Sequence, residues 1–302
     1  METTVSRRVR PEIILGIIAA AAAVLLAFVA VLCLPYFFAS EDPEPHVHQS
    51  GQNQAYTEPE ETQQEETEPE ETVVPTIPPE SNPYGRLDFQ YDRNNYLYCL
   101  RQDSWPGIDV SAFQGEIDWK QVADSGIKFA IVRLGYRGYG KAGKLVEDEY
   151  AQTNLKGATE AGLPIGAYFF SQALNIEEAD EEIEYMLKIL GDYELDMPII
   201  LDWEIPVDTA RTVNMDARTL TDIQIHFCQV MEEKGYQPMV YFNWHMSSRL
   251  LYLNELEDYP FWLALYQDRM TYPWRVEMWQ WTDKGTVPGI SGPVDLNVYM
   301  PH

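Results

Sequence analysis

The amino-acid sequence predicts an α/β fold: an irregular, TIM-like barrel of about five βα units followed by three further strands. From about residue 105 onward, short apolar runs alternate with amphipathic stretches, which is the pattern of parallel βαβ units. Eight such runs fall within about 195 residues, whereas a complete (β/α)₈ barrel takes about 250. The last three runs lie too close together for helices between them, so the predicted barrel is incomplete in its helical layer.

The N-terminal segment is expected to anchor this barrel to a membrane. Ile13–Leu34 comprises 22 residues without a charge, and a helix of that length spans about 33 Å, enough to cross a hydrocarbon core of about 30 Å. Arg7, Arg8 and Arg10 precede it and favour a cytoplasmic location for residues 1–12. A cleaved signal peptide is the competing interpretation, but its apolar core would be shorter and would end in an A-x-A-like site. We therefore expect a single-pass protein of the cell membrane whose C-terminal domain is extracellular.

Residues 35–83 are predicted to form a disordered, extended linker. Within them, residues 41–83 contain twelve acidic residues and neither Lys nor Arg, and the hexapeptide TEPEET occurs twice. Such a segment buries too little apolar surface to offset the entropy of ordering, and its charges repel one another. Residues 84–105 follow as a lead-in segment, whose aromatic residues are expected to pack a strand onto the barrel. Residues 106–302 form the main domain.

The barrel strands and helices are predicted from apolar periodicity and from the glycines that end the helices. The candidate strands are Gly107–Val110, Phe129–Tyr136, Pro164–Phe170, Pro198–Glu204, Pro238–Phe242, Phe261–Tyr266, Val276–Trp281 and Val294–Leu296. The candidate helices are Asp118–Ser125, Glu147–Ala161, Ile176–Leu190 and Thr219–Lys234. The glycines expected at helix ends are Gly126, Gly162, Gly191 and Gly235.

Charge and composition exclude some functions. The chain has a formal net charge of −27, and residues 84–302 alone hold 34 acidic and 18 basic residues. A nucleic-acid partner is not expected, because nucleic-acid-binding proteins carry the opposite charge. The five histidines form no ligand-spaced motif such as H-E-x-x-H, so neither a metal site nor a cofactor is expected. Cys99 and Cys228 do not constitute a disulfide framework, and Cys228 is expected to be a small buried residue.

Four carboxylates are expected to meet at one end of the barrel, because chemistry in such barrels lies at the carboxyl ends of the strands. Asp109 ends the first candidate strand, Asp202 and Glu204 end the fourth, and Asp295 lies on the eighth. Side chains at i and i+2 of a strand face the same way, so Asp202 and Glu204 are displayed together. Like charges raise one another's pKa, so one of these groups is expected to stay protonated near neutral pH and act as an acid.

Aromatic and amide side chains surround the predicted mouth of the barrel. Sugar rings pack their C–H faces on aromatic rings, and amide or phenol groups bond sugar hydroxyls. The candidate substrate-binding residues are Tyr168, Tyr241, Trp262, Tyr266 and Gln280, although for any one aromatic residue taken alone, packing in the core is the favoured interpretation. Arg133 lies within an apolar strand, where it either supports a carboxylate in the mouth or forms a structural ion pair.

The motifs in their order resemble glycoside hydrolase family 25, the N-acetylmuramidases also called Chalaropsis-type lysozymes. The matching stretches are GIDVSAFQGEIDWKQV (107–122), GIKFAIVRLGY (126–136), GLPIGAYFFS (162–171), PIILDWE (198–204), FWLALY (261–266) and VEMWQWTDKGTVPGISGPVDLN (276–297). The resemblance covers essentially all of residues 106–302. One departure is Phe169, which stands where many members have His.

This resemblance implies hydrolysis of the β-1,4 bond between N-acetylmuramic acid and N-acetylglucosamine in peptidoglycan. It implies that Glu204 is the general acid/base, that Asp202 stabilises a substrate-assisted intermediate, and that Asp109 and Asp295 complete the cleft with Tyr168. The alternative is a catalytically weak or inactive module that binds peptidoglycan glycan on the same fold. A chitinase-like enzyme is disfavoured because the D-x-x-D-x-D-x-E run of that class does not occur.

Overall fold

The computed structural model describes residues 80–301 of the 302-residue chain. The predicted cytoplasmic segment, the predicted membrane span 13–34 and the linker up to residue 79 lie outside the described residues. Within residues 80–301, no helix has both the length and the apolar character that crossing a bilayer requires.

Eleven strands and five α-helices make up the described part of the chain. The strands are β1 (Phe89–Tyr91), β2 (Leu97–Cys99), β3 (Trp105–Val110), β4 (Phe129–Arg137), β5 (Leu145–Glu147), β6 (Ile165–Ser171), β7 (Ile199–Trp203), β8 (Pro238–Asn243), β9 (Phe261–Ala264), β10 (Met278–Gly285) and β11 (Val294–Tyr299). The helices are α1 (Trp119–Asp124), α2 (Ala151–Glu160), α3 (Ile176–Leu190), α4 (Ala217–Glu233) and α5 (Trp244–Arg249). Two 3₁₀ turns, Ala112–Gln114 and Leu253–Glu255, add to them.

Eight of the strands form a closed barrel. Strands β3, β4, β6, β7, β8, β9 and β10 are parallel neighbours in that order. Strand β11 runs antiparallel between β10 and β3 and closes the sheet. Five βα units therefore precede three strands with no α-helix between them in the described chain. This confirms the predicted irregular barrel.

Successive side chains of each strand point to opposite faces of the sheet, so the core consists of two layers. One layer, the interior cluster, fills the barrel and contains Phe129, Ile131, Tyr168, Met197, Ile200, Met239, Tyr241, Trp262, Ala264 and Met278. The larger outer cluster lies on the other face of the strands and includes helix residues such as Ile183 and Phe227. Gly107 shows how tightly the interior is filled, because a Cβ there would lie 2.2 Å from the Phe129 ring.

Several local predictions are confirmed, and others are corrected. The four glycines expected at helix ends all have positive φ, from 58° at Gly191 to 106° at Gly126. The second helix was predicted to start at Glu147, but Leu145–Glu147 is a short strand paired with β4. The helix begins later because Asp148 forms a turn, in which its Oδ1 accepts a hydrogen bond from Tyr150 N at 2.9 Å.

The lead-in segment forms a hairpin that lies against the last strands of the barrel. Strands β1 and β2 pair antiparallel. The ring of Phe89 meets the edge of Trp279 at 5.2 Å between centroids, and Tyr91 meets Trp281 at 5.4 Å. The hairpin thus covers part of β10, in the region of the barrel where the connections carry no α-helix. Cys99 on β2 and Cys228 on α4 are both buried and free.

Phe169, the departure from the family pattern, belongs to the outer cluster. It is fully buried and its ring contacts Tyr185 of α3 at 6.3 Å. The side chain at this position therefore faces the helical layer, and its neighbour Tyr168 faces the barrel interior.

Candidate active site

The four predicted carboxylates come together at one end of the barrel. Asp202 is the penultimate residue of β7, and Glu204 follows the strand directly. Asp109 is the penultimate residue of β3 and pairs in register with Asp295 of β11. Asp295 lies near the start of its strand, and it reaches the same end as the others only because β11 is antiparallel.

A buried hydrogen-bond network holds Asp109. Its Oδ2 accepts hydrogen bonds from Asn297 Nδ2 at 2.7 Å and from Gln280 Nε2 at 2.9 Å. Trp262 Nε1 donates to Asn297 Oδ1 at 2.9 Å, and Tyr266 Oη donates to Gln280 Oε1 at 3.0 Å. Burial nonetheless dominates these hydrogen bonds and raises the pKa of Asp109 to about 6.

Glu204 and Tyr241 form the second part of the site. The Tyr241 hydroxyl donates to Glu204 Oε1 at 2.8 Å. Burial raises the pKa of Glu204 to about 7, the hydrogen bond from Tyr241 lowers it, and the charge of Asp109 adds to the increase. The main cause is therefore desolvation, and the predicted repulsion between like charges is a secondary one. A carboxyl group with this pKa exchanges its proton near neutral pH, as a general acid must.

Asp202 is buried, and its pKa lies well above its usual range because of desolvation, with the charges of Glu204 and Asp109 adding to the increase and Arg133 opposing it. Among the described residues, no group donates a hydrogen bond to its buried Oδ1. Desolvation also raises the pKa of Asp295 well above its usual range, and the charges of Asp109 and Asp283 add to the increase. Asp202 thus presents an acceptor atom beside the proposed acid.

A cavity of about 140 Å³ opens beside two of the four carboxylates, Asp109 and Asp295. Its lining comprises Asp109, Ser111, Phe113, Gln114, Tyr168, Asp283, Pro293 and Asp295. Asp283 is a fifth carboxylate that the sequence reading did not identify, because it lies beyond the predicted end of its strand at Trp281. The lining combines charged and hydroxyl groups with two aromatic rings, a mixture suited to a sugar.

Arg133 forms a structural ion pair, the second of the two roles expected for it, and it also affects the pKa of Asp202. Its Nε lies 2.7 Å from Asp148 Oδ2, and both side chains are completely buried. Its guanidinium lies 5.0 Å from the centre of the Phe113 ring. Its charge also lowers the pKa of Asp202. Arg133 therefore forms a structural ion pair and also opposes the increase in the pKa of Asp202.

The nine predicted site residues all lie on the inner surface of the barrel or at its mouth. Tyr168, Tyr241, Trp262 and Gln280 are at least 96% buried, and Tyr266 is half-buried. Both ends of the Gln280 amide engage protein groups. Asn297, which the sequence reading missed, is two residues after Asp295 on the same face of β11, and that spacing could have identified it.

The chemistry of this site is that of carboxylic acids and their hydrogen-bond donors. Within residues 80–301, no group of three or more His, Cys, Asp or Glu side chains is arranged to hold a metal ion. The site combines one carboxyl with a pKa near 7, a second with an unoccupied acceptor atom, and a third held by two amides. This set can protonate a leaving oxygen and stabilise a developing positive charge.

Comparison with known proteins gives a consistent result. The model of the family described as Glycosyl hydrolases family 25 matches residues 108–290. The uncharacterized protein YegX of Escherichia coli is 32% identical over 208 residues, which cover 64% of this chain and 68% of YegX. The autolytic lysozyme of Clostridium acetobutylicum is 26% identical over 198 residues, covering 64% of this chain and 55% of that protein.

A solved structure shares the fold. The modular autolysin LytC from Streptococcus pneumoniae, determined in complex with a synthetic peptidoglycan ligand, aligns with a TM-score of 0.59 at 25% identity. The alignment covers 71% of this chain and 52% of LytC. The chain thus spans about half the length of LytC and of the clostridial lysozyme.

Proposed function

Because the chain belongs to glycosyl hydrolases family 25, we propose that it hydrolyses the β-1,4 bond between N-acetylmuramic acid and N-acetylglucosamine in bacterial peptidoglycan. Family membership makes it a glycoside hydrolase. The names of the relatives support the substrate, since they include an autolytic lysozyme and an autolysin bound to a peptidoglycan ligand. The observation that carries the proposal is the pairing of Glu204, whose pKa is about 7, with the buried Asp202.

In the first step, Glu204 gives its proton to the glycosidic oxygen while the bond from that oxygen to C1 of the muramic residue breaks. The carbonyl oxygen of the muramic acetamide bonds to C1 and forms an oxazolinium ion. Asp202 accepts a hydrogen bond from the acetamide N–H and stabilises the positive charge. That charge favours the ionised form of Asp202, which burial alone disfavours.

In the second step, a water molecule attacks C1 and gives one proton to the Glu204 carboxylate. The bond between C1 and the acetamide oxygen breaks, and the acetamide is restored. Two displacements at C1 retain its configuration, and Glu204 ends the cycle protonated. Such substrate-assisted enzymes need no covalent bond between carboxylate and sugar.

The substitution Glu204→Gln tests this assignment. We expect the full-length protein, purified in detergent and given purified peptidoglycan, to release fragments with new reducing-end muramic acid, measured by mass spectrometry. Glu204→Gln should reduce the rate by about 10²–10⁴-fold, the usual loss when a general acid is removed, while the circular dichroism spectrum stays unchanged.

The control is Glu233→Gln, which removes an exposed carboxyl at the end of α4 and should leave the rate unchanged. A folded Glu204→Gln variant that works at close to the parent rate would refute the role of Glu204. A parent protein that binds the glycan without cleaving it would instead establish the inactive binding module.

We further propose that residues 13–34 anchor the protein in the cell membrane with the catalytic domain outside. The support is the uncharged length of this segment and the arginines before it. The acidic linker 35–83 would then hold the enzyme away from the membrane and towards the wall.

A further inference from the structure

The main chain of the proposed acid is tied to the loop that follows β6. The carbonyl oxygen of Glu204 accepts a hydrogen bond from Gln172 Nε2 at 2.7 Å. The Thr212 hydroxyl oxygen lies 3.1 Å from the same carbonyl oxygen and 3.1 Å from Gln172 Oε1, so it bridges the two acceptors. Gln172 and Thr212 are both completely buried.

The residue before the acid is held to the same loop. The indole Nε1 of Trp203 donates to the carbonyl oxygen of Ala173 at 2.9 Å, and Trp203 is completely buried. Two consecutive residues, Trp203 and Glu204, are thus fixed to two consecutive residues, Gln172 and Ala173. Neither main-chain segment can rotate without breaking a buried hydrogen bond, which costs about 1–3 kcal/mol for each polar group left unsatisfied.

A buried ion pair fixes the loop that carries Gln172. Glu182 of α3 accepts a hydrogen bond from Gln172 N at 3.3 Å and one from Arg137 Nε at 2.7 Å. Arg211, one residue before Thr212, contacts Glu178 of the same helix at 2.6 Å. Both partners of the Glu204 carbonyl are therefore attached to α3 through charged groups.

We propose that Gln172 and Thr212 are positioning residues for the reaction: they hold the Glu204 carbonyl and thereby aim the Glu204 carboxyl at the glycosidic oxygen. The inference rests on the proposed role of Glu204. A general acid works only within about 2.6–3.2 Å of the atom it protonates, and a displacement of 1 Å costs about 10²-fold in rate. Neither residue contacts the carboxyl group itself, so their effect is exerted through the main chain.

The decisive variant is Thr212→Val, which keeps the shape of the side chain and removes the hydroxyl. We expect kcat to fall about tenfold with KM changed less than twofold, and the basic limb of the kcat–pH profile to move. Thr212→Ser restores the hydroxyl and should restore both kcat and the profile. Gln172→Leu should act as Thr212→Val does, with a larger loss of kcat.

The matched control is Thr221→Val. Thr221 is also completely buried, and its hydroxyl donates to Ala217 O at 2.7 Å within α4. This variant should lose a similar amount of thermal stability and keep the parent kcat and pH profile. If Thr212→Val and Thr221→Val cannot be distinguished in kcat and profile, the role of Thr212 is only structural and the inference is overturned.

A second readout separates this inference from the proposed function. The Glu204 carboxyl of a ¹³C-labelled protein is titrated by NMR, with Glu204→Gln identifying its resonance. If the parent cleaves peptidoglycan but Thr212→Val changes neither kcat nor the titration, the inference alone fails. If the parent does not cleave, the proposed function fails. The titration then tests only whether Thr212 positions the Glu204 carboxyl, because a displaced carboxyl leaves Tyr241 and changes its pKa, and an unchanged titration overturns that positioning as well.

Discussion

At the residue scale, two opposing effects set the pKa of Glu204. Burial raises the pKa of Glu204 to about 7, whereas the hydrogen bond from Tyr241 favours the ionised form and lowers it. Since the acid must be protonated, the reaction slows as pH rises through this pKa. The basic limb of the rate profile is thus expected near pH 7, as a property of the coupled carboxylates together.

Tyr241→Phe removes the hydroxyl that favours the ionised carboxylate, so the pKa of Glu204 rises. We predict that the basic limb moves to higher pH in this variant. The measurement is kcat/KM for peptidoglycan between pH 5 and pH 9, with Tyr98→Phe on the hairpin as a control that leaves the profile in place. A limb that moves to lower pH would show that Tyr241 does not stabilise the carboxylate.

Ionisation of the buried Asp202 is predicted to reduce the stability of the folded protein. The folded pKa of Asp202 lies above the ordinary value of 3.8, so the folded state loses stability as pH rises from about 4 through the raised pKa. Asp202→Asn has no such loss. It should be inactive and yet melt at a higher temperature than the parent at pH 8, by about 2–4 °C for each kcal/mol gained.

Calorimetry at pH 4 and pH 8 checks this prediction. The difference in melting temperature between Asp202→Asn and the parent should be larger at pH 8 than at pH 4. Asp258→Asn, which neutralises an exposed carboxyl, should show no such increase. A variant that melts below the parent at pH 8 would mean that the Asp202 charge stabilises the fold.

At the element scale, the β1–β2 hairpin takes the place of a missing helix over β10. Phe89 is 7% exposed and contacts both Trp279 and Tyr84. Phe89→Ala should therefore lower the free energy of unfolding by about 3–5 kcal/mol, the usual cost of removing a buried Phe side chain. Leu87→Ala, at a residue 81% exposed in the same segment, should change it by less than about 0.5 kcal/mol. Urea denaturation measures both, and equal effects would show that the hairpin does not contribute to the core.

The elements also show what the sequence can and cannot reveal. Apolar periodicity predicted every barrel strand, because a strand of a closed barrel carries buried side chains on both faces. It could not give the direction of β11, because an apolar run has the same pattern in either direction. Asp295 lies in the site only because β11 is antiparallel to its neighbours. The sequence also predicted that Arg133 has a charged partner, because it lies within an apolar strand. That partner, Asp148, lies in a turn whose position depends on the tertiary fold.

At the scale of the whole molecule, the proposed anchor and linker predict how the enzyme can be released from cells. Protease added to intact cells should cut within residues 41–83 and liberate a soluble, active fragment, detected by immunoblot and by the peptidoglycan assay. A variant with two Arg residues inserted in the middle of Ile13–Leu34 is the control, since it should lose membrane association altogether. A catalytic domain that stays protected in intact cells would contradict the topology.

The antiparallel strand β11 makes the timing of activity depend on the completion of folding. Asn297, which donates to Asp109 Oδ2, is 188 residues away from it along the chain. Pairings over such distances form late, because the intervening loop must close first. A nascent chain carrying β3 to β10 thus has its acid but lacks Asp295 and the amide of Asn297. The strand that closes the barrel therefore also completes the cleft, so activity is expected only after β11 has paired with β10 and β3.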